Sequence, residues 1–159
     1  MILIKPIKGF EGDYLISSDG KVYSRRRERA KGGAMKLPID NVGYPVVCLF
    51  KNKKSFRKRV HNLIAENFME NPTNLPNINH IDCNKTNNKV SNLEWCTYSH
   101  NIQHAYIAGL KKTKLTRNQV LDIRKSLSLG ERIIDIARRY NVTSNTIIPI
   151  RDGRTWSWL

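Results

Sequence analysis

The chain has 159 residues, of which 28 are lysine or arginine and 13 are aspartate or glutamate, giving a formal net charge of +15 and a pI near 10.0. This length excludes a large multidomain enzyme, and a hydrophobic share of 40% is that of a chain with a packed core. So large a positive excess indicates a polyanionic partner, most often nucleic acid, although a ribosomal protein would have the same charge.

The sequence contains no segment with the composition of a membrane span or a secretory signal. The longest stretch without a lysine, arginine, aspartate or glutamate, Trp95 to Leu110, has 16 residues, whereas a bilayer span needs about 18 or more. The apolar start precedes Lys5 instead of following a basic segment, which is not the pattern of a signal peptide. Three cysteines without a C-x-x-C pair predict reduced thiols in a cytosol.

The charge is unevenly distributed along the chain. Residues 1–60 carry 15 basic and 5 acidic side chains, residues 61–110 carry 2 and 4, and residues 111–159 carry 11 and 4. Basic flanks can neutralise phosphates, and a nearly neutral centre can accept a cation without strong repulsion. We therefore predict three modules, over residues 1–56, 57–110 and 111–159. The strand and helix patterns within them predict an α+β fold.

The first module is predicted to consist of β-hairpins with basic ends. Apolar runs flank Ser18-Asp19-Gly20, which is a hairpin signal, and another strand is predicted over Tyr44 to Phe50. A short helix from Val60 to Phe68 follows. The basic runs are either solvated faces or contacts to DNA. The candidate contacts are Arg25, Arg26, Arg27, Lys53, Lys54, Arg57 and Lys58.

Residues 77–101 are unusually rich in asparagine and are the most informative segment. Two strands joined by a long ordered loop are predicted, because apolar pairs bracket the segment. These pairs are Ile78 with Ile81 and Leu93 with Trp95. Thr97 is placed to cap a following helix that Gly109 ends, so the predicted order is strand, loop, strand, helix.

Roughly from Val60 to Leu110, the sequence resembles the HNH nucleases. Two blocks carry the resemblance: Asn-His-Ile-Asp-x-Asn-Lys-Thr-Asn-Asn from Asn79, and Asn-Leu-x-Trp-x-Thr from Asn92. The run from Lys8 to Ser24 is similar to the nuclease-associated module that precedes HNH cores in phage homing endonucleases, although Ile4 stands where that module usually has Trp. The resemblance implies a central ββα-metal core that hydrolyses phosphodiester bonds in duplex DNA.

The resemblance also implies roles for four residues. His80 would be the general base, and a histidine suits this role because its ordinary pKa near 6.5 leaves it mostly neutral at pH 7. Asn79 and Asn101 would offer amide oxygens to one divalent cation, Mg²⁺ or Mn²⁺. Asn92 would orient His80 and brace the loop. Two neutral ligands predict weaker metal affinity than a carboxylate site, so DNA phosphate is expected to complete the coordination shell.

Other side chains of the segment have alternative interpretations. Cys83 stands where relatives commonly have Gly, and a positive φ there would cost on the order of 1 kcal/mol. Cys83, Cys96, His100 and His104 could instead form a zinc set, but no pair has the short spacing typical of zinc sites. His104 is also a candidate phosphate contact. Otherwise His61, His100 and His104 are interpreted as packing or surface residues.

Three helices are predicted in the last module. Thr116 and Gln119 form a capping box that opens the first helix, and Gly130 ends it. The second runs from Glu131 to Tyr140, and the third, after Asn141, contains Pro149, which shortens or kinks it.

This pattern, from about Lys114 to Trp156, resembles the helix-turn-helix of resolvase-like and small repressor domains. The resemblance implies that the third helix enters the major groove, while a plain three-helix packing module is the alternative. The candidate DNA contacts are Ser144, Asn145 and Arg151 in this module and Lys111, Lys112 and Lys114 in a basic linker.

The resulting interpretation is a metal-dependent HNH homing endonuclease acting on double-stranded DNA. We expect a monomer with no membrane or small-molecule partner, located in the cytoplasm of a bacterial host if it is phage-encoded, as the resemblance suggests. One alternative is a catalytically inactive, sequence-specific DNA-binding protein that retains an HNH fold. An RNA-binding structural protein is another.

Overall fold

The computed structural model describes residues 1–27, 31–111 and 113–159. Within these ranges the fold is α+β, as predicted, and divides into two compact units, Met1–Ala105 and Tyr106–Leu159. The strands are β1 (Ile4–Pro6), β2 (Tyr14–Ser17), β3 (Val22–Ser24), β4 (Gly33–Ala34), β5 (Val46–Lys51), β6 (Lys54–Arg59), β7 (Asn77–His80) and β8 (Leu93–Cys96). The helices are α1 (Val60–Phe68), α2 (Tyr98–Ile107), α3 (Arg117–Ser128), α4 (Ile133–Arg139) and α5 (Ser144–Arg151).

The strands form three small antiparallel sheets: β1 to β4 in sequential order, the hairpin β5–β6 and the hairpin β7–β8. Asn52 and Lys53 connect β5 to β6 with φ values of 50° and 60°. Positive φ at both central residues matches the right-handed twist of the paired strands, so this two-residue turn closes the hairpin tightly. In β7–β8, Asn79 lies opposite Glu94 and His80 lies opposite Leu93.

The first unit has one hydrophobic core that joins the sheets to α1. Its buried side chains come from both sides of residue 56 and include Ile7, Tyr14, Ile16, Val22, Val47, Leu49, Val60, Leu63, Ile64 and Leu93. Residues 1–56 and most of residues 57–110 therefore pack as one compact unit. Their separate functional roles remain a prediction.

The second unit contains α3, α4 and α5 around a core of its own, formed by Leu115, Val120, Ile123, Ile136, Ala137, Ile147 and Ile150. The capping box is confirmed, because the Thr116 hydroxyl accepts from the Gln119 backbone N–H and the Gln119 side chain accepts from the Thr116 backbone N–H at 2.8 Å. Pro149 lies within α5, which is only eight residues long. The three predicted helices are present, and their role in DNA recognition remains a prediction.

Among the helices in the described ranges, none is long and apolar enough to cross a membrane. The three cysteines are unpaired, as expected for reduced thiols. Cys83 has a φ of 61°, which confirms that its position uses the left-handed conformation.

Gly20, in the turn between β2 and β3, packs directly against the loop that follows β7. Its φ is +91°, and a Cβ added to it would lie 3.0 Å from the Cβ of Asn88 and 3.2 Å from the Asn88 carbonyl oxygen. Beside this contact, the Val90 backbone N–H donates to the Ser18 carbonyl at 3.0 Å. The β2–β3 turn thus supports the loop on which the candidate site is built.

The first prediction concerns this contact. Gly20→Ala would place a Cβ too close to Asn88 at a residue that has a left-handed φ. The free energy of unfolding should therefore fall by about 1–3 kcal/mol. Gly12→Ala is the matched control, since Gly12 has no atom within 4 Å of an added Cβ and no positive φ; its effect should stay within about 0.5 kcal/mol. Denaturant unfolding followed by circular dichroism measures both, and equal effects would contradict this account of the contact.

Candidate active site

His80 is the last residue of β7, and its imidazole is buried, with 5% of the residue exposed. Its Nε2 atom lies 3.0 Å from Oδ1 of Asn88. The Asn88 amide is oriented by its own Nδ2, which donates to the Thr86 carbonyl at 3.2 Å. Because an amide oxygen can only accept, Nε2 of His80 carries the proton and Nδ1 keeps a lone pair. The imidazole is therefore held in the tautomer that a general base needs.

Burial lowers the pKa of His80, and the nearby Lys85 lowers it further, while the hydrogen bond to Asn88 and the charge of Asp82 act in the opposite direction. The net effect favours the neutral ring at pH 7. A neutral imidazole can take a proton from water, so both the tautomer and the charge state suit the role predicted for His80.

His61 and Tyr44 pack around His80. The His61 ring meets the His80 ring edge-on at a centroid distance of 5.2 Å, and the Tyr44 ring lies 4.8 Å from His61 and 6.0 Å from His80. Cation–π contacts from Arg59 and Lys85 to Tyr44 anchor this ring in turn. His61 is thus a packing residue, as predicted, and it restricts the orientation of the His80 ring.

Hydrogen bonds among its own polar side chains hold the loop between β7 and β8. The Asn92 side chain accepts from the Asp82 backbone N–H at 3.0 Å and donates at 2.8 Å to both the Asp82 carboxylate and the Asn87 carbonyl. The same carboxylate accepts from the Asn84 backbone and from the Asn87 side chain. These donors lower the pKa of Asp82, so the loop stays bonded around an ionised carboxylate.

Asn92 therefore braces the loop, as the sequence indicated, but its side chain forms no hydrogen bond to His80. The correction is that Asn88 orients the imidazole. Asn88 lies inside the conspicuous Asn84-to-Asn88 run, yet nothing in that run distinguishes it from its neighbours. Only the path of the folded loop brings one of these amides to the ring.

The neighbouring residue Asn79 lies in β7 directly opposite Glu94 of β8, so that these two side chains share one face of the hairpin. Asn79 is 5% exposed, and its Nδ2 donates to the Glu94 carboxylate at 2.8 Å. The same carboxylate lies 3.8 Å from Nδ1 of His100 in the first turn of α2. This face of the hairpin is thus directed toward the beginning of α2, where Asn101 is located.

Asn101 is half-buried, and its backbone N–H donates to the Thr97 carbonyl at 3.1 Å. Thr97 caps α2 as predicted, accepting from the His100 backbone N–H at 3.1 Å. In the described ranges, no side chain donates to the side-chain oxygen of Asn79, and none forms a hydrogen bond with the side-chain amide of Asn101. These two neutral oxygen donors are consistent with a hard divalent cation.

The zinc alternative is not supported. In the part of the chain that the structure describes, no three His, Cys, Asp or Glu side chains are placed to hold a metal. Cys83 lies 3.6 Å from the His104 ring, but Cys96 and His100 do not join them. The amide oxygens of Asn79 and Asn101 stay the predicted cation ligands.

The predicted DNA contacts of the first unit differ in availability. Most are exposed or partly exposed at the end of β3 and on the β5–β6 hairpin: Arg25, Arg26, Lys53, Lys54, Arg57 and Lys58. Arg27 differs, because its guanidinium pairs with Asp13 at 2.8 Å, donates to the Tyr14 hydroxyl and stacks over the Tyr14 ring. The Arg27 guanidinium thus already has partners within the fold.

In the second unit, Ser144 and Asn145 form the first turn of α5, while Arg151 is its last residue and pairs with Asp152. Arg151 therefore lies at the opposite end of the helix from the proposed base-reading residues. Lys111 and Lys114 are exposed. Lys112 lies outside the described residues.

Comparisons with known proteins agree with this architecture. The family described as the NUMOD4 motif matches residues 5–50. The chain is 42% identical to an uncharacterized HNH endonuclease, L245, of Acanthamoeba polyphaga mimivirus, over 58% of this chain and 27% of the relative. It is 37% identical to the DNA endonuclease I-HmuI of Bacillus phage SP01, over 66% of this chain and 58% of the relative. It thus spans about a quarter of one relative and rather more than half of the other.

The likeness extends to three dimensions. A solved structure that describes DNA binding and cleavage by the HNH homing endonuclease I-HmuI superposes with a TM-score of 0.62 at 26% identity, covering 95% of this chain and 90% of that one. These findings agree with the resemblance that the sequence indicated: the chain is similar to HNH homing endonucleases in sequence and in fold.

The second prediction concerns the pH dependence of stability. Burial, with smaller contributions from His80 and Arg59, lowers the pKa of His61 from 6.5 to about 4. The unfolded chain therefore binds a proton before the folded chain does. The free energy of unfolding should fall by up to about 3 kcal/mol as the pH drops from about 6.5 to about 4.

Replacing the ring by a side chain that does not titrate, in His61→Gln, should reduce the slope in this window and leave the part that His80 contributes, because the pKa of His80 is also lowered. Denaturant unfolding at a series of pH values from 7.5 to 4.5 measures the slope for both proteins. An unchanged slope in the variant would assign the pH dependence to another group.

Proposed function

We propose that this protein is a metal-dependent HNH endonuclease that hydrolyses phosphodiester bonds in duplex DNA, with His80 as the general base. The observation that carries the proposal is the bond from His80 Nε2 to Asn88 Oδ1 at 3.0 Å, which leaves Nδ1 as a base. The family relationship supports the same conclusion, since the solved structure of I-HmuI describes DNA binding and cleavage by that enzyme.

In the proposed reaction, Nδ1 of His80 removes a proton from a water molecule as its oxygen attacks the phosphorus. The bond from phosphorus to the 3′ oxygen breaks, and the departing oxygen takes a proton from solvent. The hydrogen bond to Asn88 strengthens as His80 becomes positively charged, because Nε2–H is then a charged donor. Asn88 thus stabilises the form of His80 that develops in the transition state.

The oxygens of Asn79 and Asn101 would hold one divalent cation, Mg²⁺ or Mn²⁺. A cation bound there would neutralise charge on the non-bridging phosphate oxygens and assist the departing oxygen. Because both protein ligands are neutral, DNA phosphate would complete the shell. Protein oxygens alone would then bind the ion weakly.

The flanking regions would bind DNA around the site. Arg25, Arg26, Lys53, Lys54 and Arg57 are exposed and can neutralise backbone phosphates. α3, α4 and α5 would act as a helix-turn-helix, with Ser144 and Asn145 at the N-terminal end of α5 reaching base edges. With one copy of the catalytic residues, a monomer would cut one strand at a time.

The third prediction tests the base. His80→Ala removes the proton acceptor, so the rate of plasmid nicking in Mg²⁺ or Mn²⁺ should fall by about 10²-fold to 10⁴-fold. DNA affinity should change by less than about threefold, because the buried ring is not placed to neutralise phosphate. Single-turnover nicking and an electrophoretic mobility shift measure the two effects, and equal losses of both would show that His80 is structural.

Removing the divalent cation with a chelator distinguishes a metal-dependent nuclease from a protein that only binds DNA. The wild-type protein should convert supercoiled plasmid to a nicked circle in Mg²⁺ or Mn²⁺, and an excess of chelator should stop the conversion. Persistent supercoiled DNA together with tight binding would instead identify an inactive DNA-binding protein. Preference for structured RNA over duplex DNA in competition would identify an RNA-binding protein.

The fourth prediction tests base readout by α5. Mapping the nicked ends on genomic DNA first defines the preferred site. Asn145→Ala should then weaken binding to that site by about tenfold, with little effect on random duplex, since a good amide-to-base contact contributes about 1–3 kcal/mol of discrimination. The matched control is Asn118→Ala, an exposed amide on α3. Equal effects of the two substitutions would favour a plain packing role for the three helices.

A further inference from the structure

Asn79 and Glu94 form a cross-strand pair on one face of the β7–β8 hairpin. They lie directly opposite in the register, and Nδ2 of Asn79 donates to Oε1 of Glu94 at 2.8 Å. Asn79 is buried, whereas 38% of the Glu94 side chain is exposed. An amide carries its donor nitrogen and its acceptor oxygen on opposite sides, so this bond decides which of the two faces away from Glu94.

The orientation matters because only one end of the amide can bind a cation. With Nδ2 held by Glu94, Oδ1 is left free, and no donor in the described part of the chain bonds to it. The flipped amide would present its NH₂ group, whose partial positive charge repels a cation. Partners outside the coordination shell orient metal ligands in proteins generally, and their loss weakens metal binding.

Glu94 is also the acidic side chain next to the two amide side chains proposed as ligands. Residues 61–110 contain four acidic side chains. Glu66 belongs to α1, Glu70 follows it, and the oxygens of Asp82 accept hydrogen bonds from the loop. Glu94 is therefore the remaining carboxylate, and its contact to His100 at 3.8 Å places it next to the turn that bears Asn101.

We infer that Glu94 is a positioning residue for the catalytic cation: it turns the Asn79 oxygen toward the ion and provides the negative charge that Asn79 and Asn101 do not carry. This inference rests on the proposed function, because it assumes that the amide pair holds the ion. It extends that function by assigning a role to a residue outside the pair.

The test compares Mn²⁺ binding in the wild type, Glu94→Ala, Glu94→Gln and the control Glu70→Ala, an exposed carboxylate on the same unit. Electron paramagnetic resonance measures free Mn²⁺ in a solution of the protein with duplex DNA, against the same DNA alone, because DNA phosphate is expected to complete the shell. Thermal unfolding checks that each variant is folded. Glu94→Ala should weaken Mn²⁺ binding by about 10-fold to 100-fold. Glu94→Gln, which keeps an acceptor oxygen but loses the charge, should lose less, and Glu70→Ala should equal the wild type.

A second substitution distinguishes positioning from general support of the fold. Asn79→Asp gives the ligand its own charge and two equivalent oxygens, so it no longer needs to be oriented. Added to Glu94→Ala, it should restore Mn²⁺ affinity to within about threefold of the wild type. The Mn²⁺ concentration for half-maximal plasmid nicking should rise in Glu94→Ala and return in the double variant.

The two proposals fail in different ways. If the wild type binds Mn²⁺ and nicks DNA but Glu94→Ala binds Mn²⁺ equally well, only the role of Glu94 is overturned. Failure of Asn79→Asp to rescue a folded Glu94→Ala also overturns it. If the wild type neither binds Mn²⁺ nor nicks DNA, the proposed function fails together with the inference.

Discussion

The hydrogen bond between Nε2 of His80 and Oδ1 of Asn88 is the interaction on which the proposed chemistry depends. A free imidazole exchanges between two tautomers, and only a fixed acceptor on one nitrogen keeps the lone pair on the other. Asn88 can serve as that acceptor because its own NH₂ group is bonded to the Thr86 carbonyl. The turn at Gly20 packs against Asn88, so the N-terminal sheet supports the position of the base although it contributes no catalytic group.

The asparagine-rich loop is ordered because its amides satisfy one another. Asn92 bonds to both the backbone and the carboxylate of Asp82, and Asn84 and Asn87 donate to that carboxylate as well. A short amide side chain provides both a donor and an acceptor, which lets it replace the backbone pairing that a loop lacks. Such a network holds a long connection with little apolar burial.

In the proposed enzyme, the basic segments would bind DNA and the nearly neutral central segment would hold the catalytic residues. The flanking segments carry the entire positive excess, which suits phosphate neutralisation and makes the affinity for DNA dependent on salt. The central segment is close to neutral; Asp82 is bonded within the loop, and Glu94 is placed against the proposed cation site. Neutral amide ligands would then make the bound phosphate part of the proposed metal site, so that the ion would be held most firmly when DNA is present.

The sequence alone determined the elements whose causes are local. The bounds of α1, the two strands around the asparagine-rich loop, the cap at Thr97 and the capping box at Thr116 follow from apolar spacing and capping residues within a few positions. The family motif also identified His80, Asn79, Asn92 and Asn101 as the candidate site. The strands, the helix and the caps could be predicted because each depends on neighbours in the chain, while the site residues stay a prediction of the motif.

Only the tertiary structure decided which groups surround those residues. Asn88 was one amide in a run of similar ones, His61 lies 19 residues before His80, and Glu94 meets Asn79 only through the strand register. Arg27 is paired with Asp13, which the packing of the first sheet brings to it, and its DNA contact stays a prediction. Contacts between residues distant in sequence depend on the path of the loops and on the register of the strands. The residues next to each position in the sequence do not determine that path or that register.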